Sequence, residues 1–172
     1  MTEHRSRLIY RKPTPADLPR LFDIYGDPRT HLFNPAGPLT SLAQAESVLS
    51  RWLEHWSVHG YGWWAVATDE APDQVIGFGG IALHDYLGEQ RVNLGYRFAE
   101  HAWGKGLATQ LGKAGLAHAF ESLHLPQVYG LVRPAHAASI KVLEKIGMQR
   151  IGVLDEVPGQ APSLVFRARA HG

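Results

Sequence analysis

Apolar and polar residues alternate between positions 91 and 98 with the period of a strand that is buried on one face. The apolar or aromatic positions are Val92, Leu94, Tyr96 and Phe98, and Asn93, Gly95 and Arg97 separate them. Gly104 and Gly106 interrupt this pattern, and a helical pattern follows from Leu107. The segment 91–109 is therefore predicted as a strand, a glycine-rich turn and the start of a helix.

Hydrophobic patterning divides the rest of the chain into further short elements. Strands are predicted at 8–11, 63–68, 75–81, 128–132, 149–154 and 163–169. Helices are predicted at 17–25, 41–59, 107–122 and 137–146. Loops are predicted at 28–39, which is rich in proline, and at 84–90, which is polar.

The spacing of these elements predicts the fold class. The first strands lie close enough in sequence to pair as antiparallel neighbours. Only the strand ending at Phe98, the helix from Leu107 and the strand at 128–132 have the length for a parallel crossover. We therefore predict one α+β domain over residues 1–172, with a mixed, mostly antiparallel sheet of about seven strands, a central β-α-β crossover and flanking helices.

Composition excludes several classes of function. The formal net charge is +1, so a broad basic surface for nucleic acid is not expected. The chain has no cysteine, and its ten histidines include no HExxH motif, so no metal is expected. Residues 1–13 lack the apolar core of a signal peptide, and no run approaches 18 apolar residues. A cytoplasmic protein with no membrane contact is expected.

The two glycines of the turn suggest a phosphate site. A glycine-rich turn that opens a helix exposes unpaired N–H groups at the positive end of the helix dipole. It is not a Walker A loop, because Gly106 follows Lys105 where Ser or Thr is required. A dinucleotide fold is disfavoured because Arg133 stands where an acidic residue should end the next strand. A plain strand-to-helix connection is the alternative.

A specific resemblance extends this interpretation. The sequence AWGKGLAT, followed about 20 residues later by VYGLVRPAHAASIKVLEKIGM, resembles the acyl-CoA-binding core of the GNAT N-acetyltransferases. The resemblance covers essentially the whole chain and is closest to the ribosomal-protein N-terminal acetyltransferase branch. It implies acetyl-CoA as cosubstrate, an amine as acceptor and no metal, and it leaves a homodimer open.

The resemblance also implies which residues hold acetyl-CoA. In the family the turn wraps the CoA pyrophosphate, and the pantetheine arm lies in a V-shaped gap between the strand ending at Phe98 and the strand at 130–132. His136 stands where the family often has Asn. The residues implied for cofactor binding are Tyr96, Arg97, Phe98, Trp103, Gly104, Lys105, Gly106, Leu107, Ala108, Thr109, His136 and Ser139.

The sequence differs from the family at positions where other members have side chains that transfer protons. Many members have a Tyr that donates a proton to the CoA thiolate, and Leu143 stands at that position. Ser139 matches a serine thought to lie near the thioester sulfur in this branch, so it is the candidate catalytic residue. Its alternative role is to cap a backbone group in the first turn of its helix. Asn93 replaces a Glu that is a candidate base; other candidates are Asp85, Glu89, His101, Asp155 and Glu156.

The lack of a clear base favours an acceptor that loses its proton easily. An α-amine with a pKa near 7.8 is roughly 10% neutral at pH 7, whereas a lysine amine near 10.4 is neutral about once in several thousand. The predicted acceptor is a peptide N-terminus, an amino acid or another amine of low pKa, in a pocket with Trp52, Trp63 and Asn93. Two alternatives remain: a small-molecule acetyltransferase for polyamines, amino acids or antibiotics, and a non-catalytic acyl-CoA-binding protein.

Overall fold

The computed structural model describes residues 6–34 and 36–170 of the 172-residue chain. Part of the N-terminal stretch used above to argue against a signal peptide lies outside these residues. The strands are β1 Leu8–Arg11, β2 Trp63–Thr68, β3 Gly77–Tyr86, β4 Glu89–Phe98, β5 Gln127–Val132, β6 Gln149–Leu154 and β7 Ser163–Arg169. The α-helices are α1 Leu18–Tyr25, α2 Leu42–His59, α3 Leu107–Ala117 and α4 Ala137–Lys145.

The seven strands form one sheet in the order β1-β2-β3-β4-β5-β7-β6. Every neighbouring pair is antiparallel except β4 and β5, which are parallel and joined through α3. The predicted α+β fold with one central crossover is confirmed.

The prediction of a loop at 84–90 is wrong, because β3 and β4 continue through this segment as a tight hairpin. Strand pairing extends to Tyr86 and Glu89, and only Leu87 and Gly88 form the turn, with φ of 52° and 98°. Two residues with positive φ match the right-handed twist of the flanking strands. The Asp85 carboxylate accepts the Gly88 N–H at 2.7 Å. The polar residues here belong to the exposed ends of the two strands. A polar segment of this kind is predicted as a loop when only the hydrophobic pattern is considered.

Helix α2 begins as its cap predicts. The Ser41 hydroxyl accepts the Gln44 N–H at 3.2 Å, and the Gln44 side chain accepts the Thr40 N–H at 2.7 Å. Gly60 ends the helix with φ of 75°. The cap and the glycine position α2 beside α1 on one face of the sheet.

The sheet is covered on both faces, and β4 contributes its apolar side chains to one of the two cores. Leu94 and Phe98 pack in the core that contains α3, whereas α1 and α2 form the other core with Phe78. A Cβ at Gly115 would lie 3.0 Å from the Leu94 side chain, and one at Gly112 would lie 2.8 Å from Ile146. Both glycines therefore allow α3 to approach the sheet and the C-terminal end of α4 closely.

Strands β4 and β5 separate soon after they meet. Their pairing consists of Asn93 with Tyr129. The Ala99 N–H donates to the Ile76 carbonyl at 2.8 Å, so in β4 the odd-numbered residues bond towards β3. The backbone groups of Tyr96 and Phe98 consequently face the gap beside β5. The V-shaped opening that the resemblance implies is present at this point of the sheet.

Candidate active site

A cavity of about 590 Å³ lies at the open end of the gap between β4 and β5. Four segments line it: the end of β4, the glycine turn with the start of α3, the start of α4, and the loop before α2. The lining residues are Arg29, Thr30, Leu32, Phe33, Tyr96, Arg97, Phe98, Ala102, Trp103, Gly104, Gly106, Leu107, Ala108, Thr109, Ala135, His136, Ala137, Ala138, Ser139 and Val142.

The glycine turn presents open backbone to this cavity. Gly104 and Gly106 both have φ of 74°, a left-handed conformation that favours glycine. In the described part of the chain, nothing lies within 4 Å of a Cβ built at either position, and Gly106, the N-cap of α3, has no side chain to cap the first turn. The N–H groups at this helix start are therefore available to an anion, and the turn fits a CoA pyrophosphate. Lys105 is exposed and does not line the cavity.

Tyr96 and Ser139 meet across the gap. Their hydroxyl oxygens are 2.7 Å apart and share a hydrogen bond that joins β4 to the first turn of α4. Burial raises the pKa of Tyr96, so its hydroxyl keeps its proton at neutral pH. Leu143 is 3% exposed and lies in the core, so it brings no polar group to the site.

Trp103 and His136 flank the cavity. The Trp103 indole N–H donates to the Phe98 carbonyl at 3.1 Å, while 46% of the residue stays exposed. The His136 ring stacks on Phe33 with centroids 4.3 Å apart. Burial, and then the positive charge of Arg97, lower the pKa of His136, so the ring is neutral at neutral pH.

The loop before α2 contributes to the site, and sequence patterning did not indicate this. Its Pro28–His31 segment is a 3₁₀ turn whose Asp27 cap accepts the Arg29 N–H. Arg29 also pairs with Glu100, which lies between β4 and α3. The loop is therefore attached to β4–α3 by Arg29 and to the start of α4 by Phe33. These contacts join distant parts of the chain, so local sequence patterns do not predict them.

Arg97 lies on the opposite face of β4 from Tyr96. Its guanidinium carbon is 5.0 Å from the centre of the Tyr25 ring, and its Nη1 is buried without a hydrogen-bond partner. Burial lowers its pKa. An arginine in such surroundings is still charged at neutral pH, because its ordinary pKa is above 12.

The residues predicted for the acceptor pocket lie near this face but outside the cavity lining. Trp52 and Trp63 pack together with centroids 5.3 Å apart. A Cβ at Gly95 would lie 2.5 Å from Trp63, so this indole lies directly over β4. Asn93 accepts a short 2.5 Å hydrogen bond from the Tyr86 hydroxyl, and its amide donates to the Leu94 carbonyl.

None of the acids or bases proposed from the sequence lines the cavity. Asp85 caps the β3–β4 turn, and Glu89 pairs with Arg91 at 2.9 Å. Glu156 accepts the Ser163 hydroxyl at 2.8 Å. His101 is exposed and Asp155 lies in the β6–β7 connection. The site holds hydroxyls, imidazole and guanidinium, and no cavity-lining carboxylate among the described residues.

Comparison with known proteins decides the family. Residues 7–149 match the family model described as the acetyltransferase (GNAT) domain. This chain belongs to the GNAT acetyltransferase family. It is an acyltransferase, and the resemblance seen in its glycine turn is confirmed at the level of the family.

Relatives and solved structures agree with this assignment. The chain is 28% identical to the uncharacterized N-acetyltransferase p20 of Bacillus licheniformis over 153 residues, 89% of this chain and 85% of that protein. It superimposes with a TM-score of 0.77 on Mycobacterium smegmatis RimJ in complex with CoA-disulfide, at 21% identity and covering 97% and 85% of the two chains.

A third similarity is to a polyamine enzyme. The spermidine N-acetyltransferase of Vibrio cholerae, solved with CoA and spermine, gives a TM-score of 0.76 at 18% identity, with 95% and 96% of the chains covered. At such identities the two structures show a shared fold, and the acceptor has to be argued from this chain's own residues.

Two kinds of feature are absent from the described residues. No group of three or more histidine or acidic side chains could hold a metal ion there. Over the same part of the chain, no helix is both long and apolar enough to cross a bilayer.

Proposed function

We propose that this GNAT enzyme transfers the acetyl group of acetyl-CoA to an α-amine by direct attack in a ternary complex. The observation that carries the proposal is the cavity itself, which runs from the open amides of the glycine turn to the Tyr96–Ser139 pair. One end therefore suits a pyrophosphate and the other presents hydroxyls where a thioester would lie.

The backbone would hold the cosubstrate. The N–H groups from Gly104 to Thr109 bind the pyrophosphate, since each is a donor at the positive end of α3. The backbone groups of Tyr96 that face the gap pair with the pantetheine amides or with the thioester carbonyl. An N–H group fixed there stabilises negative charge on that oxygen as the reaction proceeds.

Acetyl-CoA supplies an activated acyl group whose leaving group is a thiolate. The lone pair of the acceptor nitrogen forms a C–N bond with the acetyl carbon, the C–S bond breaks, and the sulfur keeps the electron pair. The nitrogen loses one proton and the sulfur gains one. The products are an N-acetyl amide and the free thiol, so atoms and charge balance.

Ser139 is the donor to the leaving sulfur in this proposal. A phenol is the stronger donor of the pair, so Tyr96 donates to the Ser139 oxygen and leaves the serine proton free to point into the cavity. A chain of two hydrogen bonds polarises the serine hydroxyl further. This pair takes the place of the tyrosine acid that Leu143 replaces.

The acceptor is an α-amine because no carboxylate in the described cavity lining can remove the proton. A substantial fraction of α-amine is already neutral at pH 7, whereas the ε-amine of lysine is almost wholly charged. Solvent water is then a sufficient proton acceptor. Catalysis rests on positioning and on polarisation of the carbonyl.

Thiol release with matched substrates tests the proposal. A tripeptide with a free N-terminus and a blocked lysine should react faster than one with an acetylated N-terminus and a free lysine. Faster reaction at the lysine amine would contradict the α-amine assignment. Binding of acetyl-CoA without transfer to any amine would instead favour a non-catalytic acyl-CoA-binding protein.

A further inference from the structure

Arg97 is a half-buried cation that has no counter-ion among the described residues. It lines the cavity, and its Nη1 nitrogen is fully buried. Among the described residues, none accepts a hydrogen bond from this nitrogen. An unpaired buried charge is costly, and proteins usually compensate it with a partner of opposite charge.

The groups around Arg97 leave its charge uncompensated. The Tyr25 ring gives a cation–π contact, and its hydroxyl is also buried without a partner. Burial, and then the charge of Arg97, lower the pKa of both His31 and His136, so both rings are neutral at neutral pH. The carboxylates of Asp27 and Glu100, which flank the loop before α2 and the end of β4, are both paired with Arg29.

The phosphates of CoA are not the expected partner of Arg97, because the two would lie on opposite faces of β4. Tyr96 faces α4 and Leu94 faces α3, so the alternation of β4 directs Arg97 to the face covered by α1. The open amides for the pyrophosphate lie at the start of α3, on the other face. An anion beside Arg97 would therefore arrive with the acceptor.

We propose that the acceptor carries a carboxylate close to its amine, as a free α-amino acid does, and that Arg97 binds this carboxylate. This inference rests on the proposed function, and the charge of Arg97 beside the carboxylate would offset the rise that a free carboxylate causes in the pKa of its own α-amine. A guanidinium binds a carboxylate through two parallel hydrogen bonds, which fixes the orientation of the amine as well as its position. A polycationic acceptor such as a polyamine would place like charges together at this point.

The test compares amino acids with their primary amides as acceptors for the full-length enzyme. Amidation removes the carboxylate and also lowers the pKa of the amine, which by itself favours the amide. We expect kcat/KM for the acid to exceed that for the amide by at least about tenfold, in the range of a charge-assisted hydrogen bond. Equal values, or a preference for the amide, would overturn the inference.

Substitutions test whether Arg97 is the residue that produces the preference for the acid. Arg97→Gln should raise KM for the amino acid by about 10- to 100-fold and abolish the preference for the acid, while Arg97→Lys should retain part of it. Arg91→Gln is the matched control, because Arg91 lies on the same face of β4, stacks on Tyr129 at 4.4 Å and does not line the cavity. This variant should keep the preference.

Two further measurements decide whether the anion that Arg97 binds belongs to CoA or to the acceptor. If Arg97→Gln weakens CoA binding in calorimetry as much as acceptor binding, Arg97 serves the cosubstrate and the inference is wrong. If no amine is acetylated, the proposed function fails, and binding of an N-acetyl amino acid and its amide to the CoA complex still decides the inference. Tighter binding of the acid form would support it, and equal binding would overturn it.

Discussion

The two faces of β4 differ in how their side chains are satisfied. Towards α3 and α4, Leu94 and Phe98 are buried in the larger core, and Tyr96 bonds to Ser139. Towards α1 and α2, Gly95 lies under Trp63, and Arg97 lies beside Tyr25 with no counter-ion among the described residues. One face is complete in itself, and the other contains a charge that still lacks a partner.

This difference separates two tasks of one strand. In the proposed function, the complete face holds the elements that would bind acetyl-CoA. The face with the unpaired charge lies where an acceptor would enter. A cosubstrate site needs rigid backbone donors. An acceptor site needs side chains whose polar groups have no partner within the protein and can therefore bind the substrate.

The largest expected effect comes from the glycine turn. Gly106→Val places a branched side chain at φ of 74° and should weaken CoA binding by about 100-fold, because the turn loses donors to the pyrophosphate. Calorimetric titration with CoA measures this. Gly159→Val is the matched control, since Gly159 has φ of 79°, is equally open and lies between β6 and β7.

Both glycine variants should lose similar stability on heating, and only Gly106→Val should lose CoA. Similar CoA affinity in the two would show that the turn does not bind the pyrophosphate, and the cofactor side of β4 would have to be reassigned.

Ser139→Ala tests the leaving-group side of the complete face. Loss of a hydrogen bond to a charged sulfur should lower kcat by about 10- to 30-fold, with CoA affinity nearly unchanged. Tyr96→Phe keeps the serine hydroxyl and removes only its partner, so its effect on kcat should be smaller, about threefold. Steady-state kinetics with a reactive α-amine measures both. An unchanged kcat in Ser139→Ala would leave the helix-capping role for this serine.

Gly95→Ala tests the packing of the other face. A Cβ there would lie 2.5 Å from Trp63, so the indole must move, and the free energy of unfolding should fall by about 2 kcal/mol. Gly152→Ala is the control, because this strand glycine in β6 has nothing within 4 Å of a Cβ. Urea unfolding should show little or no loss for Gly152→Ala. Equal loss in both variants would argue against close packing of Trp63 on β4.

The smallest effect concerns the pH dependence of His31, which packs on Tyr25 and is 6% exposed. Burial, and then the charge of Arg97, lower the pKa of His31 to about 4. Below pH 6.5 the unfolded chain therefore binds a proton that the folded chain does not bind, so the free energy of unfolding should fall between pH 6.5 and pH 4, by about 1 kcal/mol for each pH unit.

His31→Gln should make this decline shallower. The comparison is needed because burial also lowers the pKa of His55, His118 and His136, which contribute to the same decline. Urea unfolding at pH 7.5 and pH 5 measures the difference. An unchanged decline in the variant would show that His31 is accessible to protons in the folded state.

Local backbone rules account for what could be predicted. The alternation at 91–98, the glycines at 104 and 106 and the cap at Ser41 each act within a few residues, and all correspond to observed elements. The 84–90 hairpin was missed because a two-residue turn with Leu87 at positive φ carries no strong sequence signal.

The sequence by itself determined the order of the elements, the phosphate-type turn and the family, since these depend on local φ angles, alternation and a contiguous motif. Only the tertiary structure decided which side chains meet. It brought Ser139 to Tyr96, Phe33 to His136, and Tyr25 to Arg97. Such pairs join segments far apart in the chain, and whether a buried charge has a partner depends on every element packed around it.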